Sequence, residues 1–292
     1  MWTDDGFKDY ELLDATSGER LERWGEAVLI RPDPQVIWHE PRRHKGWKTA
    51  DAVYTRSSSG GGSWSANKLP ASWTVSWRDL AFKVKPTGFK HTGLFPEQAS
   101  NWSVLRGSGA GKVLNLFAYT GAATVVCAKA GAKVTHVDAA KGMVTWAKEN
   151  CALNGVEARF IVDDCAAFVE RELRRGNRYD GILMDPPSYG RGPNGQMWKL
   201  EDNLYGFVKK AAGLLSDDAR FFFINAYTTG LAPSVLTILL ETLIVPRLGG
   251  RAEADELGLR IGSTGLFLPC GATGRWQRDA APIGGCGRGT KS

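Results

Sequence analysis

The chain has 292 residues, 43% of them hydrophobic and 23% charged, with a net charge of +6 and an isoelectric point near 9.1. This balance supports a full buried core and excludes wholesale disorder, and no apolar run approaches the roughly 20 residues of a membrane span. The basic surplus permits a nucleic-acid partner without demanding one.

The first ten residues are acidic and polar rather than basic and then apolar, so no secretory leader is expected and a cytoplasmic location follows. Five cysteines, at 127, 151, 165, 270 and 286, form no CxxC pair and are odd in number, which predicts reduced thiols rather than a disulfide framework. Four histidines (39, 44, 91, 136) lack metal-ligand spacing, so no metal is expected.

Residues 1–90 are rich in tryptophan, with short alternating runs at Glu19 to Trp24, Ala27 to Arg31 and Trp73 to Trp77 between turn clusters. Period-two patterning predicts a small antiparallel β domain. The SSSGGGS run at 57–63 suits a hairpin tip, and Arg42 to Lys48 mixes cations with Trp47 as backbone-binding surfaces of nucleic-acid proteins do.

Over residues 91–276 the texture becomes alternating βα. Strands are predicted at Val113 to Phe117, Lys133 to Val137, Arg159 to Val162, Tyr179 to Met184 and Arg220 to Asn225. Helices are predicted at Ala122 to Ala130, Lys141 to Leu153, Ala166 to Arg175, Leu200 to Leu215 and Ser234 to Leu243. Right-handed crossovers then give an α/β, doubly wound, mostly parallel seven-stranded sheet. The stretches Arg251 to Arg260 and Gly265 to Trp276 complete it as an antiparallel hairpin at the edge, and 277–292 reads as a flexible tail.

In such a sheet, ligands bind beyond the carboxyl ends of the strands. After the first strand, Gly121 allows a tight turn into a helix whose free amides can receive a carboxylate. After the second comes Asp138, seventeen residues beyond Gly121, placed to take ribose hydroxyls. After the third, Asp163-Asp164-Cys165 can accept from the amino group of an adenine. Carboxylate, ribose and amino-adenine together describe S-adenosylmethionine. The fourth strand ends in Asp185-Pro186-Pro187-Ser188-Tyr189, where the prolines make a stiff loop with outward carbonyls, suited to aligning a nucleophile. Singly, each feature also reads as a turn or a helix cap; their order along the chain carries the inference.

From about Trp77 to Trp276, two thirds of the chain, the sequence resembles class I S-adenosylmethionine-dependent methyltransferases with a Rossmann-like fold. Within them it is similar to the large-subunit ribosomal RNA methyltransferases acting on cytosine or guanine. The matching stretches are Thr87 to Gln98, Leu114 to Gly121, Glu149 to Gly155, Asp163-Asp164 and Met184 to Ser188. The resemblance implies that Gln98 covers the methionine end, and that Asn115, Phe117, Tyr119, Gly121, Asp138, Asp164, Cys165 and Asp185 line the cofactor site. It implies an RNA substrate, ribosomal RNA above others. Asp185 with the Pro186 and Pro187 carbonyls would orient the acceptor, with Ser188 and Tyr189 lining its pocket and Tyr189 stacking on a base.

Methylation of a pyrimidine at C5 needs a cysteine nucleophile, and the loops at Ser188 and Tyr227 contain none. Cys270 is the sole tempting thiol; at the end of an antiparallel strand it is expected at the opposite edge of the sheet, as a structural residue. Direct in-line displacement is therefore expected. A nicotinamide-dependent dehydrogenase would need G-x-G-x-x-G, which Gly121-Ala-Ala-Thr lacks. A methyltransferase for a small molecule or protein, and a non-catalytic RNA-binding module, remain as alternatives.

Overall fold

The computed structural model describes residues 1–57, 61–65, 68–191 and 197–278. The N-terminal sheet holds β1 (Tyr10–Thr16), β2 (Glu19–Trp24), β3 (Ala27–Pro32), β4 (Ala52–Arg56) and β5 (Gly62–Ser65), in that spatial order. Its pairs are antiparallel except β3 with β4, which run parallel after a long connection over the surface. A hairpin of β6 (Trp73–Trp77) and β7 (Leu80–Val84) follows, then α1 (Ala99–Arg106). Trp102 of α1 packs edge-on to Trp77 at 5.4 Å and against Phe82 at 5.5 Å, so this hairpin shares its core with the first helix.

Strands and helices then alternate: β8 (Lys112–Leu116), α2 (Ala122–Lys129), β9 (Lys133–Asp138), α3 (Lys141–Leu153), β10 (Arg159–Val162), α4 (Cys165–Arg174) and β11 (Gly181–Met184). A small hairpin, β12 (Tyr189–Arg191) with β13 (Met197–Lys199), precedes α5 (Leu200–Ala212), β14 (Phe221–Ala226), α6 (Pro233–Leu243) and α7 (Val245–Leu248). The chain closes with β15 (Arg251–Arg260) and β16 (Phe267–Gln277). The main sheet has seven strands in the order β10-β9-β8-β11-β14-β16-β15. The first five are parallel, and β16 is antiparallel to both neighbours. Strand order reverses between β8 and β11, which opens a crevice at their carboxyl ends.

Continuous apolar runs form the central strands because helices cover both faces. Side chains alternate across the sheet: Val113, Leu183, Phe221 and Phe223 join the core that includes Trp102, Val125 and Cys151. Leu114, Ile182, Met184, Phe222 and Ile224 join that of Phe168, Phe207 and Leu240. Gly181 begins β11 because a Cβ there would lie 2.3 Å from the Phe221 ring. The predicted start at Tyr179 is thus two residues early; Tyr179 makes only an isolated bridge to Leu215.

The predicted C-terminal hairpin is present, with β15 at the edge and β16 inside the sheet. Trp2 and Leu12 form bridges to Leu257 and Ile261, so the start of the chain covers that edge. β1 and α1 escape the sequence reading. The predicted hairpin tip at 57–63 falls partly, and the predicted tail at 277–292 largely, outside the described residues. Among the described residues no helix is long and apolar enough to cross a membrane, and no cluster of three or more His, Cys, Asp or Glu could hold a metal ion.

Candidate active site

The loop after β8 is the most contorted backbone in the crevice. Phe117 and Tyr119 take left-handed φ values of 54° and 50°, and Gly121 follows at 81°. Left-handed geometry is costly for residues with a Cβ and persists where surroundings hold it. Here the Tyr119 amide donates to Asp138 Oδ2 at 2.9 Å and the Phe117 amide to Cys165 Sγ at 3.2 Å. The Thr120 hydroxyl donates to the Gly93 carbonyl at 2.5 Å, and Asn150 donates to the Thr120 carbonyl at 2.8 Å. Gly121 is required twice over, because a Cβ would also come within 2.8 Å of Ala147 on α3. It stands at the N-terminus of α2 with no side chain capping the first amides.

Each acid at a strand end also holds backbone. Asp138 receives Tyr119 through Oδ2 and the Ala140 amide through Oδ1 at 2.8 Å. Asp164 caps α4 by accepting from the Ala167 amide at 2.8 Å. Carboxyl oxygens carry further lone pairs, so both remain able to accept from a ligand. Asn115 is buried and donates to Thr124 Oγ1 at 2.9 Å, which in turn sits 3.0 Å from His136 Nδ1. Burial pulls His136 down to about 4, so its ring is neutral at physiological pH.

Behind the loop lies a small pocket of about 60 Å³, lined by Gln98, Asn101, Asn115, Gly121, Leu183 and Asn225 among others. Its polar wall is a closed network: Asn101 donates to Gln98 Oε1 at 2.7 Å and to Asn225 Oδ1 at 3.0 Å, and Arg275 donates to Asn101 Oδ1 at 2.8 Å. Phe95, Phe117, Tyr119 and Asp185 line both this pocket and a larger cleft of about 660 Å³. The cleft brings Asp138 and Asp164 together with Asp185, Pro186, Pro187 and Ser188. That size suits a sizeable organic ligand.

The carboxyl group of Asp185 receives no hydrogen bond among the described residues, and only its amide is fixed, to the Leu116 carbonyl at 3.3 Å. Burial, and then the charge of Glu97, push its pKa up to about 7. Burial also raises Glu97. The Tyr227 hydroxyl donates to Glu97 Oε1 at 3.1 Å and accepts from Gln98 Nε2 at 2.8 Å, linking the larger cleft to the inner pocket.

Several predicted site residues stand differently. Tyr189 is 55% exposed, donates its hydroxyl to Met197 Sδ at 2.7 Å and does not line the cleft. The β12–β13 pairing instead puts Trp198, opposite Gly190, on the cleft wall. Trp198 packs on Phe117 at 5.8 Å and donates to the Pro187 carbonyl at 2.6 Å, so that carbonyl is already engaged. The Ser188 hydroxyl accepts from Thr228 at 2.7 Å. Cys165 is buried beneath the first loop, and its side chain is not part of the cleft.

Cys270 is a correction of the opposite kind. An antiparallel strand begins where its parallel neighbours end, so Cys270, near the start of β16, lines the cleft rather than the far edge. Burial and Glu97 hold its thiol well above the ordinary range, so it stays protonated. Trp47 of the basic-aromatic segment is buried, with its indole donating to Asp14 at 2.7 Å, so it offers no stacking face; Arg43, Lys45 and Lys48 around it are exposed. Sequence reasoning missed Glu97, Trp198, Tyr227, Arg20 and Lys90 as cleft residues. Glu97 adjoins the expected Gln98 and Tyr227 follows β14 as Asp185 follows β11, so two had a positional signal.

A family model for the S-adenosylmethionine-dependent methyltransferases matches residues 49–206. The chain is 37% identical to a crystal structure of the SAM-dependent methyltransferase from Agrobacterium tumefaciens, with a TM-score of 0.88 over 94% of this chain and 92% of that one. It is 36% identical over 154 residues to ribosomal RNA large subunit methyltransferase K/L of Shewanella frigidimarina, and 40% identical over 150 residues to that of Shewanella baltica. Those alignments take in 49% of this chain but 21% of the relatives' length, so the chain spans about a fifth of those proteins. With a left-handed glycine turn and two strand-end acids lining a crevice at the point where strand order reverses, and a family model covering more than half its length, this chain belongs to the S-adenosylmethionine-dependent methyltransferases.

Proposed function

We propose that the protein methylates a nucleobase in RNA, with ribosomal RNA the favoured substrate, by direct in-line displacement without a cysteine adduct. The observation that carries this reading is the shared cleft. Asp185 and the Pro186-Pro187 turn face the same space as Asp138 and Asp164, and the Trp198 ring supplies an aromatic wall of the kind that holds a flat, splayed base. The named relatives that act on ribosomal RNA support the substrate class.

The cofactor supplies a methyl group already activated on a sulfonium. In this reading the amides after Gly121 and the inner pocket of Gln98 and Asn115 hold its methionine end, with Phe117 and Tyr119 shaping the passage. Asp138 takes the ribose, and Asp164 with the Cys165 backbone meets the adenine. Asp185 and the Pro186 carbonyl orient the acceptor nitrogen or oxygen by accepting hydrogen bonds from it, and the Asp185 carboxylate takes up its proton, while Trp198 stacks on the base and excludes water. Ser188 shapes the rim. Residues 1–90 contribute to substrate recognition, since Arg20, Asp33 and Gln35 line the cleft. The basic side chains of Arg43, Lys45 and Lys48 are exposed to meet phosphates. A cytoplasmic site of action accords with an RNA substrate.

The test is transfer of a labelled methyl group from S-adenosylmethionine to total ribosomal RNA by the parent and by Cys270→Ser. The reading expects labelled nucleosides from both. Transfer only to a small metabolite or protein would replace RNA as the substrate, and loss confined to folded Cys270→Ser with a trapped RNA adduct in the parent would replace direct displacement.

A further inference from the structure

The same cleft is lined by Arg20 of β2 and by Lys90 of the segment leading to α1, neither of which has a part in the methyl-transfer step itself. Arg20 is only 7% exposed, yet its guanidinium makes no hydrogen bond among the described residues, its buried Nε included. It stands 3.3 Å from Glu22 and 3.4 Å from Asp33 in loose ion pairs. Glu22 is committed elsewhere: it accepts from Arg31 Nη2 at 2.7 Å and from the Tyr10 hydroxyl at 2.8 Å. Asp33 Oδ1 accepts from the Gln35 amide at 3.0 Å. The Lys90 ammonium donates one hydrogen bond among the described residues, to the Pro32 carbonyl at 3.3 Å.

Three basic side chains, Arg20, Arg31 and Lys90, are therefore grouped with two acidic ones, Glu22 and Asp33. The next carboxyl groups, Glu97 and Asp185, are held towards their neutral forms by burial. Burial, and then the charge of Arg20, pull Lys90 down to about 8, with Asp33 opposing them. Leaving several guanidinium and ammonium donors unmet at the wall of a cleft is expensive unless a ligand completes them. A tetrahedral anion with several acceptor oxygens satisfies an arginine and a lysine together.

We propose that Arg20 and Lys90 form a phosphate subsite for the acceptor, gripping a backbone phosphate next to the base that enters the cleft. The source of the phosphate rests on the RNA reading above; the subsite itself rests on the side chains.

Inorganic phosphate is titrated calorimetrically into the full chain saturated with S-adenosylhomocysteine. The parent binds, Lys90→Gln and Arg20→Gln weaken binding at least tenfold, and Lys209→Gln on the exposed side of α5 leaves it unchanged. Because Arg20→Gln removes a buried group, Lys90→Gln carries the decision if the arginine variant does not fold. A parent that binds no phosphate, or a Lys90→Gln protein that binds it like the parent, overturns the subsite. In a second arm, the RNA affinity of Lys90→Gln falls less steeply with salt, its slope reduced by about 1, and its KM for RNA rises. Phosphate binding without either change overturns the assignment to the acceptor. Phosphate bound at Arg20 and Lys90 together with methylation of a phosphorylated small molecule, and none of RNA, retains the subsite and removes the RNA reading.

Discussion

The Tyr119 amide donates to Asp138 Oδ2 at 2.9 Å, tying the end of the first parallel strand to the end of the second. The acid assigned to the ribose therefore also holds the left-handed loop at Phe117 and Tyr119. Replacing it alters both.

Asp138→Ala is accordingly expected to weaken S-adenosylmethionine binding by ten- to a hundredfold, about 1.5–3 kcal/mol for loss of a charge-assisted pair. Calorimetric titration measures it. Asp138→Asn keeps an acceptor for the Tyr119 amide and should lose less. Parent affinity in a folded alanine variant would take Asp138 out of the site.

In the proposed reading Asp185 acts on the acceptor side. Asp185→Ala should lower the methyl-transfer rate at least tenfold at saturating cofactor while changing cofactor affinity little. Rapid-quench measurement of a single turnover separates the two. A variant turning over at the parent rate contradicts the assignment.

A pH dependence follows from the carboxyl pair. Asp185 has a pKa of about 7, so its carboxylate, the form that accepts a proton, accumulates as pH rises through 7. Turnover should rise from pH 6 to pH 8 with a midpoint near 7. Glu97→Gln removes a neighbouring negative charge and should move that midpoint down. A flat profile in both proteins shows that proton acceptance by Asp185 does not limit the reaction.

Stability should move the other way. The folded pKa of Asp185, about 7, lies above the unfolded value of 3.8, so the folded state holds a proton that the unfolded state has lost. Stability is fully present below pH 3.8 and is lost as pH rises towards 7. Asp185→Asn cannot ionise, so its gain over the parent should be small at pH 4 and reach on the order of 2–4 kcal/mol at pH 8. Denaturant unfolding at the two pH values measures the difference; equal gains at both would contradict the buried, charge-averse environment.

Trp198→Ala removes the aromatic wall and frees the Pro187 carbonyl. We expect KM for the RNA acceptor to rise at least tenfold, in line with stacking worth about 1–3 kcal/mol per base, with cofactor affinity kept. A KM like that of the parent would assign Trp198 to packing on Phe117 alone.

The strand ends were legible because each rests on local chemistry: Gly121 at a forced left-handed turn, Asp138 and Asp185 directly after apolar runs. The seven-stranded sheet was legible from alternation of period-two and helical patterns. What escaped depends on pairing between distant segments. Tyr189 and Trp198 look alike as aromatics flanking a glycine-rich loop, and only the register of β12 on β13 sends one outward and the other into the cleft. Cys270 misled because strand direction, not sequence position, decides which end of the sheet it reaches. Arg20 and Lys90 lie 70 residues apart in sequence and meet at the cleft through packing of the N-terminal sheet, which no local pattern records.

Mass spectrometry of ribosomal RNA nucleosides from a strain lacking this protein tests the central claim most directly, with the strain restored by the parent and by Asp185→Ala as controls. The account predicts that one methylated nucleoside other than a C5-methylpyrimidine disappears, returns with the parent and stays absent with Asp185→Ala. An unchanged set of methylated nucleosides in the deleted strain would contradict it.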